Sequence, residues 1–247
     1  MLDSESMTWY KSYVKRFYAS RPGWIHGTQQ FHNLCSESIK PNSQILEVGA
    51  GLNNGTSQFL AERGRLDGVD IDPDVHQNDA LENAWTIQGD DYPVENERYD
   101  ACVSNYVLEH VADPDAHLNE IHRILKPGGC YIFRTPNLFH YVAMVSALTP
   151  HSFHKRYANR LRDLEAEAHD PYPTVYKLNT RKALHTRAIN AGFKVMSLEM
   201  IESTPSYGAS SRALFFAGLA YERVVMSTER LAGLRANLLG VLRKEKK

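Results

Sequence analysis

Cysteine is scarce in this chain, and its scarcity excludes a scaffold built on disulfide bonds. The 247 residues include three cysteines, Cys35, Cys102 and Cys130, which lie far apart and form no C-x-x-C pair. An odd number of scattered cysteines is typical of a protein in a reducing compartment. The sequence therefore predicts a cytoplasmic location.

Long apolar runs, internal repeats and long basic runs are absent too. No stretch is long enough to span a bilayer, and residues 1–6 are acidic and polar, unlike a signal peptide. The net charge is −1 with histidine neutral, and the one dense basic cluster is Arg243–Lys247. This balance argues against nucleic acid as a partner. The composition, 43% hydrophobic and 23% charged, suits one globular α/β domain.

An apolar run that leads into a glycine-rich turn organises the rest of the chain. Residues 45–48 predict a buried parallel strand, and helical spacing resumes at Thr56. Between them, Gly49 and Gly51 allow the backbone to turn tightly and to approach a ligand. The helix N-terminus that follows presents free N–H groups to polar ligand atoms. Strand, turn and helix in this order predict a nucleotide-binding site, although a turn that serves packing alone would look the same.

The glycine spacing departs from the G-x-G-x-x-G pattern of dinucleotide sites, because the third glycine, Gly55, comes one residue late. We expect Asn53 to adopt a left-handed backbone in place of a glycine, since Asn tolerates this conformation. Glu47 lies two residues before Gly49. The stretch resembles motif I of class I S-adenosylmethionine-dependent methyltransferases, E/D-x-G-x-G-x-G, with Asn53 as its departure.

Three later segments strengthen this resemblance. Asn105–Val111, Leu125–Gly129 and Thr135–Asn137 are similar to further signatures of the small-molecule type of this family, including the methyltransferases of quinone biosynthesis. The resemblance covers about residues 42–135. It implies an enzyme that uses S-adenosyl-L-methionine as methyl donor, and a seven-stranded sheet with strand order 3-2-1-4-5-7-6.

Apolar runs and helical stretches alternate after residue 42, which predicts a doubly wound, mostly parallel, Rossmann-like α/β sheet. The predicted strands cover residues 44–48, 66–72, 84–90, 99–105, 130–135, 193–201 and 238–242. Helices are predicted over residues 115–125 and 180–192, and Lys126–Gly129 is predicted as the turn that ends the first of them.

We predict a single methyltransferase domain over residues 1–247. Its parts are a helical N-terminal cap over 1–40, a donor-binding half over 42–137, an inserted lid over 138–179 and a C-terminal half over 180–247. The cap contains two helices separated at Arg21–Gly23, and it either packs on the sheet or covers the ligand with Trp24 and His26. The insert is much longer than an ordinary connection between strand and helix, and such a length indicates either a functional lid or a disordered insert; we predict a lid.

Carboxylates at the strand ends complete the predicted donor site. Asp70 ends the second strand, where an open α/β sheet places a carboxylate that accepts from both ribose hydroxyls; a solvated Asp is the alternative. Ile71 would lie against the adenine, and Asp90, or Asp91 in its place, would accept from the adenine amine. The predicted cofactor-binding residues are Glu47, Gly49, Ala50, Gly51, Asn53, Asp70, Ile71, Asp90, Asp91 and Asn105.

The acceptor site is predicted around His110 and the lid. A hydroxyl acceptor needs a base, and His110, which follows the fourth strand, is the candidate unless it only shapes the pocket. The histidines of the insert, His140, His151, His154 and His169, are rivals for this role. The predicted substrate contacts are His151, His154, His169, Tyr172 and Tyr176. The expected acceptor is a small molecule such as a sugar, a phenol or a lipid-linked precursor, and no metal site is predicted.

Two other functions fit parts of the pattern. A nicotinamide-dependent oxidoreductase would use the same turn and Asp70, but the late Gly55 and the Lys126–Gly129 turn count against it. A catalytically idle ligand-binding module would keep the site without turnover.

Residues 211–235 predict an amphipathic helix that carries arginines between its apolar positions. Such a helix either packs its apolar face against its own domain or makes weak peripheral contact with a membrane surface.

Overall fold

Seven segments form the strands of one sheet in the computed structural model of this protein, which describes residues 4–89, 91–148, 172–202, 204 and 211–246. In chain order they are β1 Ser43–Val48, β2 Gly64–Asp70, β3 Asn83–Thr86, β4 Tyr99–Asn105, β5 Leu125–Pro136, β6 Phe193–Ile201 and β7 Asn237–Lys244. Their order across the sheet is β3-β2-β1-β4-β5-β7-β6, and the pairings from β3 through to β5 are parallel. The predicted doubly wound, mostly parallel sheet and its strand order are confirmed.

The helices alternate with these strands along the chain. Those in the described ranges are α1 Ser4–Val14, α2 Gly27–Ser38, α3 Gly55–Ala61, α4 Pro114–Ile124, α5 Tyr141–Leu148, α6 Arg181–Asn190 and α7 Arg212–Val225. A π-helical turn, Lys15–Ala19, continues α1, and 3-10 turns cover Pro73–Gln77 and Glu229–Leu234. No helix in the described ranges is long and apolar enough to cross a bilayer.

The sequence of α4 shows how a helix of this sheet begins and packs. Asp113 caps the helix by accepting hydrogen bonds from two backbone N–H groups over 3.0 Å, and Pro114 occupies the first turn, where its missing N–H costs nothing. The fully buried face consists of Leu118, Ile121 and Ile124. Burial of each such side chain contributes about 1.5–3 kcal/mol, so the apolar face, more than helix propensity, fixes α4 on the sheet.

β5 is longer than predicted, because it includes the Lys126–Gly129 segment. Leu125 already pairs with Tyr99 of β4, so the strand begins where α4 ends. The register shifts after this pair, and Gly128 accommodates the irregularity with a φ of +85°. The predicted turn is therefore the irregular start of a strand.

Other boundaries also differ from the prediction. β2 and β3 end at Asp70 and Thr86, before the predicted positions. The predicted helix over 211–235 ends at Val225, because Thr228 caps a separate 3-10 turn by accepting from a backbone N–H.

The chain divides into two compact units. The sheet unit comprises residues 31–136, 175–199 and 238–247, and the helical unit comprises residues 1–30, 137–174 and 200–237. Within the helical unit, Phe215 of α7 is fully buried, and its ring centroid lies 6.2 Å from that of Trp9 and 5.4 Å from that of Tyr13. Trp24 packs in the same unit, 6.0 Å from Tyr18. The predicted parts of the domain, from cap to C-terminal half, stay predictions.

Candidate functional site

The glycine turn between β1 and α3 lies against both neighbours of β1. Gly49 and Gly51 have φ angles of +73° and +49°, in the left-handed region that glycine adopts readily. A Cβ on Gly49 would overlap Cγ2 of Val107, which follows β4. The Gly49 N–H donates to the carbonyl of Val69 in β2 over 2.8 Å. The backbone at this turn therefore leaves no room for a side chain at position 49.

The same turn orients the carboxylate of Asp70. The N–H of Gly51 donates to Oδ2 over 2.9 Å, and the N–H of Asp72 donates to Oδ1 over 2.9 Å. Each oxygen of an ionised carboxylate has the capacity for a second hydrogen bond. Asp70 is partly exposed at the end of β2. Its two oxygens are thus fixed by the backbone and can accept from two neighbouring hydroxyl groups.

Glu47 is buried, with 2% of its surface exposed, and its Oε2 accepts a hydrogen bond from Oγ of Ser57 over 2.7 Å. Burial raises the pKa of its carboxyl to about 7; the Ser57 hydrogen bond opposes this rise and the charge of Asp70 adds to it. Ser57 belongs to the first turn of α3. Glu47 therefore links β1 to the helix that follows the glycine turn.

The backbone prediction for Asn53 is wrong, because its φ is not positive. The Asn53 side chain donates to the carboxylate of Asp79 instead. Its neighbour Asn54 caps α3 and accepts from the backbone N–H groups of Thr56 over 2.8 Å and of Ser57 over 3.2 Å. Because an extended Asn54 starts the helix, the turn needs no third left-handed residue.

Asn105 at the end of β4 connects α3 to β5. Its Nδ2 donates to Oγ1 of Thr56 over 3.2 Å, and its Oδ1 accepts from Nε of Arg134 over 2.8 Å. Burial lowers the pKa of Arg134, whose guanidinium carbon lies 4.5 Å from the ring centroid of Tyr106. Tyr106 has a φ of +61°. A buried cation beside a strained residue at a strand end is typical of a binding site.

The remaining donor candidates follow β2 and β3. Ile71 is 55% exposed, so an apolar ligand face could rest on it. Asp91 is exposed and lines a cavity of about 640 Å³ together with Trp85 and Tyr92. None of the residues that line this cavity belongs to the glycine turn. Asp90 lies outside the described residues.

A chain of buried hydrogen bonds runs from Tyr92 into the sheet. Oη of Tyr92 lies 2.8 Å from Nδ1 of His117, and Nε2 of His117 lies 3.1 Å from Oη of Tyr131. That hydroxyl lies 2.7 Å from Oγ of Ser104. Burial lowers the pKa of His117 to about 4, so the imidazole is neutral near pH 7. The chain anchors Tyr92, and with it the neighbouring Asp91, to α4 and β4.

The segment after β4 pairs with the chain that precedes α6. Two successive backbone N–H groups, from Val175 and Tyr176, donate to the carbonyl of Glu109 over 2.7 Å and 3.1 Å. Oε2 of the buried Glu109 accepts from Oγ1 of Thr135, which accepts from Nδ2 of Asn179 over 2.6 Å. Tyr176 has a φ of +52°. These contacts keep Tyr176 in a strained conformation beside the backbone that carries His110.

The other acceptor candidates are dispersed. His110 is half-buried, and its backbone N–H donates to the carbonyl of Val107 over 2.9 Å. His140 is in the helical unit, where burial lowers its pKa to about 4 and its Nε2 lies 3.8 Å from Glu202. Tyr172 is 41% exposed in the same unit. The candidates His151, His154 and His169 lie outside the described residues.

The sequence analysis did not single out Asn54, Glu109 or Arg134. Two of them carry a usable signal: an Asn directly before a helical stretch indicates a helix cap, and a charge such as Arg134 in the apolar run of β5 needs a buried partner. Glu109 carries none, since its partners Thr135, Val175 and Tyr176 are distant in sequence.

Comparisons with known proteins agree with this geometry. The family model described as a methyltransferase domain matches residues 10–198. The demethylmenaquinone methyltransferase of Staphylococcus epidermidis is 26% identical over 117 residues, which make up 43% of this chain and 48% of that protein. The chain thus spans about half the length of the curated relatives it matches.

Solved structures share the fold at low sequence identity. An S-adenosylmethionine-dependent methyltransferase from Mesorhizobium loti superposes with a TM-score of 0.55 and 16% identity, over 87% of this chain and 96% of that one. Phosphoethanolamine N-methyltransferase 2 of Haemonchus contortus gives 0.54 and 17%, over 95% of this chain and 56% of that one. Because the family match covers more than half of the sequence and includes the glycine turn, the chain belongs to the methyltransferase-domain family of class I S-adenosylmethionine-dependent enzymes.

Proposed function

We propose that this protein transfers the methyl group of S-adenosylmethionine to a hydroxyl of a small acceptor, such as a sugar, a phenol or a lipid-linked precursor. The observation that supports S-adenosylmethionine as the donor is the Asp70 carboxylate, which the Gly51 amide orients at the end of β2. The assignment of the acceptor site rests on His110 and Tyr176, because the N–H of Tyr176 donates to the carbonyl of Glu109, the residue before His110.

The residues of the turn fit the donor. Two neighbouring ribose hydroxyls match the two oxygens of Asp70. Gly51 leaves its backbone open to a ligand, since the nearest atom to a Cβ there would be Oδ2 of Asp70 at 3.8 Å. The exposed Ile71 offers an apolar face to the adenine. These features support S-adenosylmethionine as the molecule that the turn binds.

The donor supplies a methyl group on a positively charged sulfur, so the protein need not provide an electrophile. With that donor bound, an acceptor oxygen would form the C–O bond to the methyl carbon as the C–S bond broke, and the electron pair of the broken bond would stay on sulfur. His110 takes the hydroxyl proton in this scheme. The other task of the site is to align the acceptor with the methyl group and to exclude water.

Calorimetry with S-adenosylhomocysteine tests the donor half. Asp70→Ala removes an acceptor of charge-assisted hydrogen bonds and should weaken binding by about 1.5–3 kcal/mol. Asp115→Ala is the matched control, because Asp115 is an exposed carboxylate in the first turn of α4, paired with Arg187. Unchanged affinity in a folded Asp70→Ala variant would remove the ribose assignment. Tighter binding of NAD than of S-adenosylhomocysteine by the wild type would favour the oxidoreductase alternative.

A methyl-transfer assay tests the acceptor half. The panel should hold sugars, phenols and lipid-linked alcohols, and also quinones and amines, because the relatives above are named for acceptors of these last two kinds. With an accepted hydroxyl substrate, His110→Asn should lower kcat by about 10²–10⁴-fold and leave donor affinity unchanged. Donor binding without transfer to any acceptor would support the idle binding module instead.

A further inference from the structure

The helical unit exposes more large apolar side chains than the sheet unit. Of the fifteen such side chains exposed among the described residues, nine belong to the helical unit, although it is the smaller one. They are Ile25, Phe139, Met144, Tyr172, Leu214, Phe216, Val224, Met226 and Leu234. Apolar area concentrated in one part of a surface is typical of a contact site.

Helix α7 contributes an outward apolar face. Its buried face consists of Phe215, Gly218, Glu222 and Val225. The opposite face consists of Ala213, Ala217, Ala220 and Val224, with Leu214 and Phe216 at its edges, and all six are exposed. α7 therefore buries Phe215 and Val225 in its own unit, whereas these six residues stay exposed. Beyond the apolar side chains that it buries, α7 thus exposes Leu214, Phe216 and Val224, where an ordinary surface helix carries polar residues.

Charged groups inside the unit fix this orientation of α7. Glu222 is 6% exposed, and its carboxylate lies 3.1 Å from Nη1 of Arg223 and 3.5 Å from Nη1 of Arg21. Nη2 of Arg223 also donates to the carbonyl of Phe17 over 2.7 Å. Rotation of α7 would break the contact between Glu222 and Arg21 and the hydrogen bond from Arg223 to the carbonyl of Phe17, so these two contacts favour the orientation with the apolar face outward.

The helical unit is also basic. Its described residues include eight Lys and Arg against four Asp and Glu, whereas the whole chain has a net charge of −1. The exposed cations include Lys11 and Lys15, Arg16, and Arg212 at the start of α7. The ring of Tyr13 in α1 lies 5.5 Å from that of Phe216 in α7. Cζ of Arg16 lies 5.4 Å from the ring centroid of Phe17, which lies 5.7 Å from that of Phe216, so Arg16 and Arg212 border the apolar face of α7.

We propose that the helical unit binds peripherally to the surface of an anionic lipid bilayer, with α7 in the plane of the interface. Leu214, Phe216 and Val224 would enter the acyl boundary while the neighbouring cations contact the head groups. A second copy of this chain could cover the apolar face, but it would bring like charges together. An anionic bilayer would instead cover the apolar face with its acyl boundary and pair the cations with its head groups. The proposal is independent of methyl transfer and goes beyond it.

Vesicle co-sedimentation of the full chain tests the proposal. We expect binding to phosphatidylcholine vesicles that contain phosphatidylglycerol and much weaker binding to phosphatidylcholine alone. Binding should fall steeply in about 1 M salt, where the screening length is about 3 Å. Equal binding to both kinds of vesicle, or none to anionic vesicles at low salt, would overturn the proposal.

Two variants and their controls identify the surface. Leu214→Ser with Phe216→Ser should weaken vesicle binding by about tenfold or more. The matched control is Ile189→Ser with Met196→Ser, which are 52% and 47% exposed on the sheet unit, and it should bind as the wild type does. An equal loss in both pairs would contradict the assignment to α7.

The cations need a separate pair. Arg16→Glu with Arg212→Glu should weaken binding by about fivefold or more for each position, because each cation near an anionic surface contributes about that factor. Lys182→Glu with Lys194→Glu, both exposed on the sheet unit, is the matched control. Affinity for S-adenosylhomocysteine, measured on every variant, separates a failure of this proposal from a failure of the donor site. Light scattering that shows a dimer lost in the Leu214 pair would assign the face to a second copy instead.

Discussion

The backbone of Gly49 lies directly against Val107, so that a Cβ at position 49 would overlap Cγ2 of Val107. Gly49→Ala would meet both this overlap and a φ of +73°. We expect the free energy of unfolding to fall by about 2–4 kcal/mol. Val107→Ala in the same chain removes only the overlap, so a double-mutant cycle by chemical denaturation should give a favourable coupling of about 1–3 kcal/mol. Zero coupling would mean that the backbone angle alone sets the cost.

Gly51→Ala should behave differently. The nearest atom to a Cβ at this position is 3.8 Å away, so the substitution costs about 1 kcal/mol of stability through its φ of +49°. The new methyl group would stand where the proposed ligand approaches the backbone. Calorimetry should therefore show weakened binding of S-adenosylhomocysteine in a chain that remains folded. Wild-type affinity would place the ligand elsewhere.

Glu47 makes stability depend on pH. Its folded pKa is raised from 4.5 to about 7, so the folded state binds the proton more tightly than the unfolded state does. This contribution is fully present below about pH 4.5 and is lost as pH rises through about 7. Glu47→Gln keeps an acceptor for Ser57 and removes the titration. The free energy of unfolding of the variant, relative to that of the wild type, should therefore rise by about 3 kcal/mol as pH is raised from about 5 to about 8. Denaturation curves that shift equally at both pH values would contradict the assignment.

The hydrogen-bond chain through His117 should act as one unit. Tyr131→Phe leaves Nε2 of His117 and Oγ of Ser104 without the phenolic hydroxyl, which should cost about 2–4 kcal/mol. Once that hydroxyl is absent, Ser104→Ala has less left to lose. Thermal denaturation of the single and double variants should therefore give a double cost smaller than the sum. Additive costs would show that the groups act separately.

Tyr176 links strain to function. Asn tolerates a φ of +52° better than Tyr and keeps the N–H that donates to Glu109. Tyr176→Asn should therefore leave stability unchanged or raise it by up to about 1 kcal/mol, while turnover of an accepted substrate falls. Val175→Asn, one residue earlier and 42% exposed, is the control for turnover. Wild-type turnover in Tyr176→Asn would remove this residue from the acceptor site.

The strands around the glycine turn were predictable because the sequence patterns that specify them are local. Apolar runs that end in Gly49 or Asp70 specify a strand and the residue at its carboxyl end without knowledge of distant contacts. The sheet order needed the family resemblance, since alternation of strands and helices does not distinguish one crossover pattern from another.

The glycine pattern alone predicts a left-handed Asn53, whereas Asn54 completes the turn as a helix cap through the N–H groups of Thr56 and Ser57, a local contact. Other parts that failed depend on contacts remote in sequence. The carbonyl of Glu109 pairs with residues more than sixty positions later, which no local pattern reveals. The outward face of α7 is linked to the buried Glu222, whose partner Arg21 lies about two hundred positions earlier in the sequence.

The two amide hydrogen bonds on Asp70 have a kinetic consequence. They select one rotamer of the carboxylate before a ligand arrives, so the side-chain entropy that binding would otherwise cost is already lost on folding. Binding of a ribose at Asp70 then requires no rearrangement of the carboxylate. Donor analogues altered at the ribose should therefore differ in how fast they leave the protein, and little in how fast they enter.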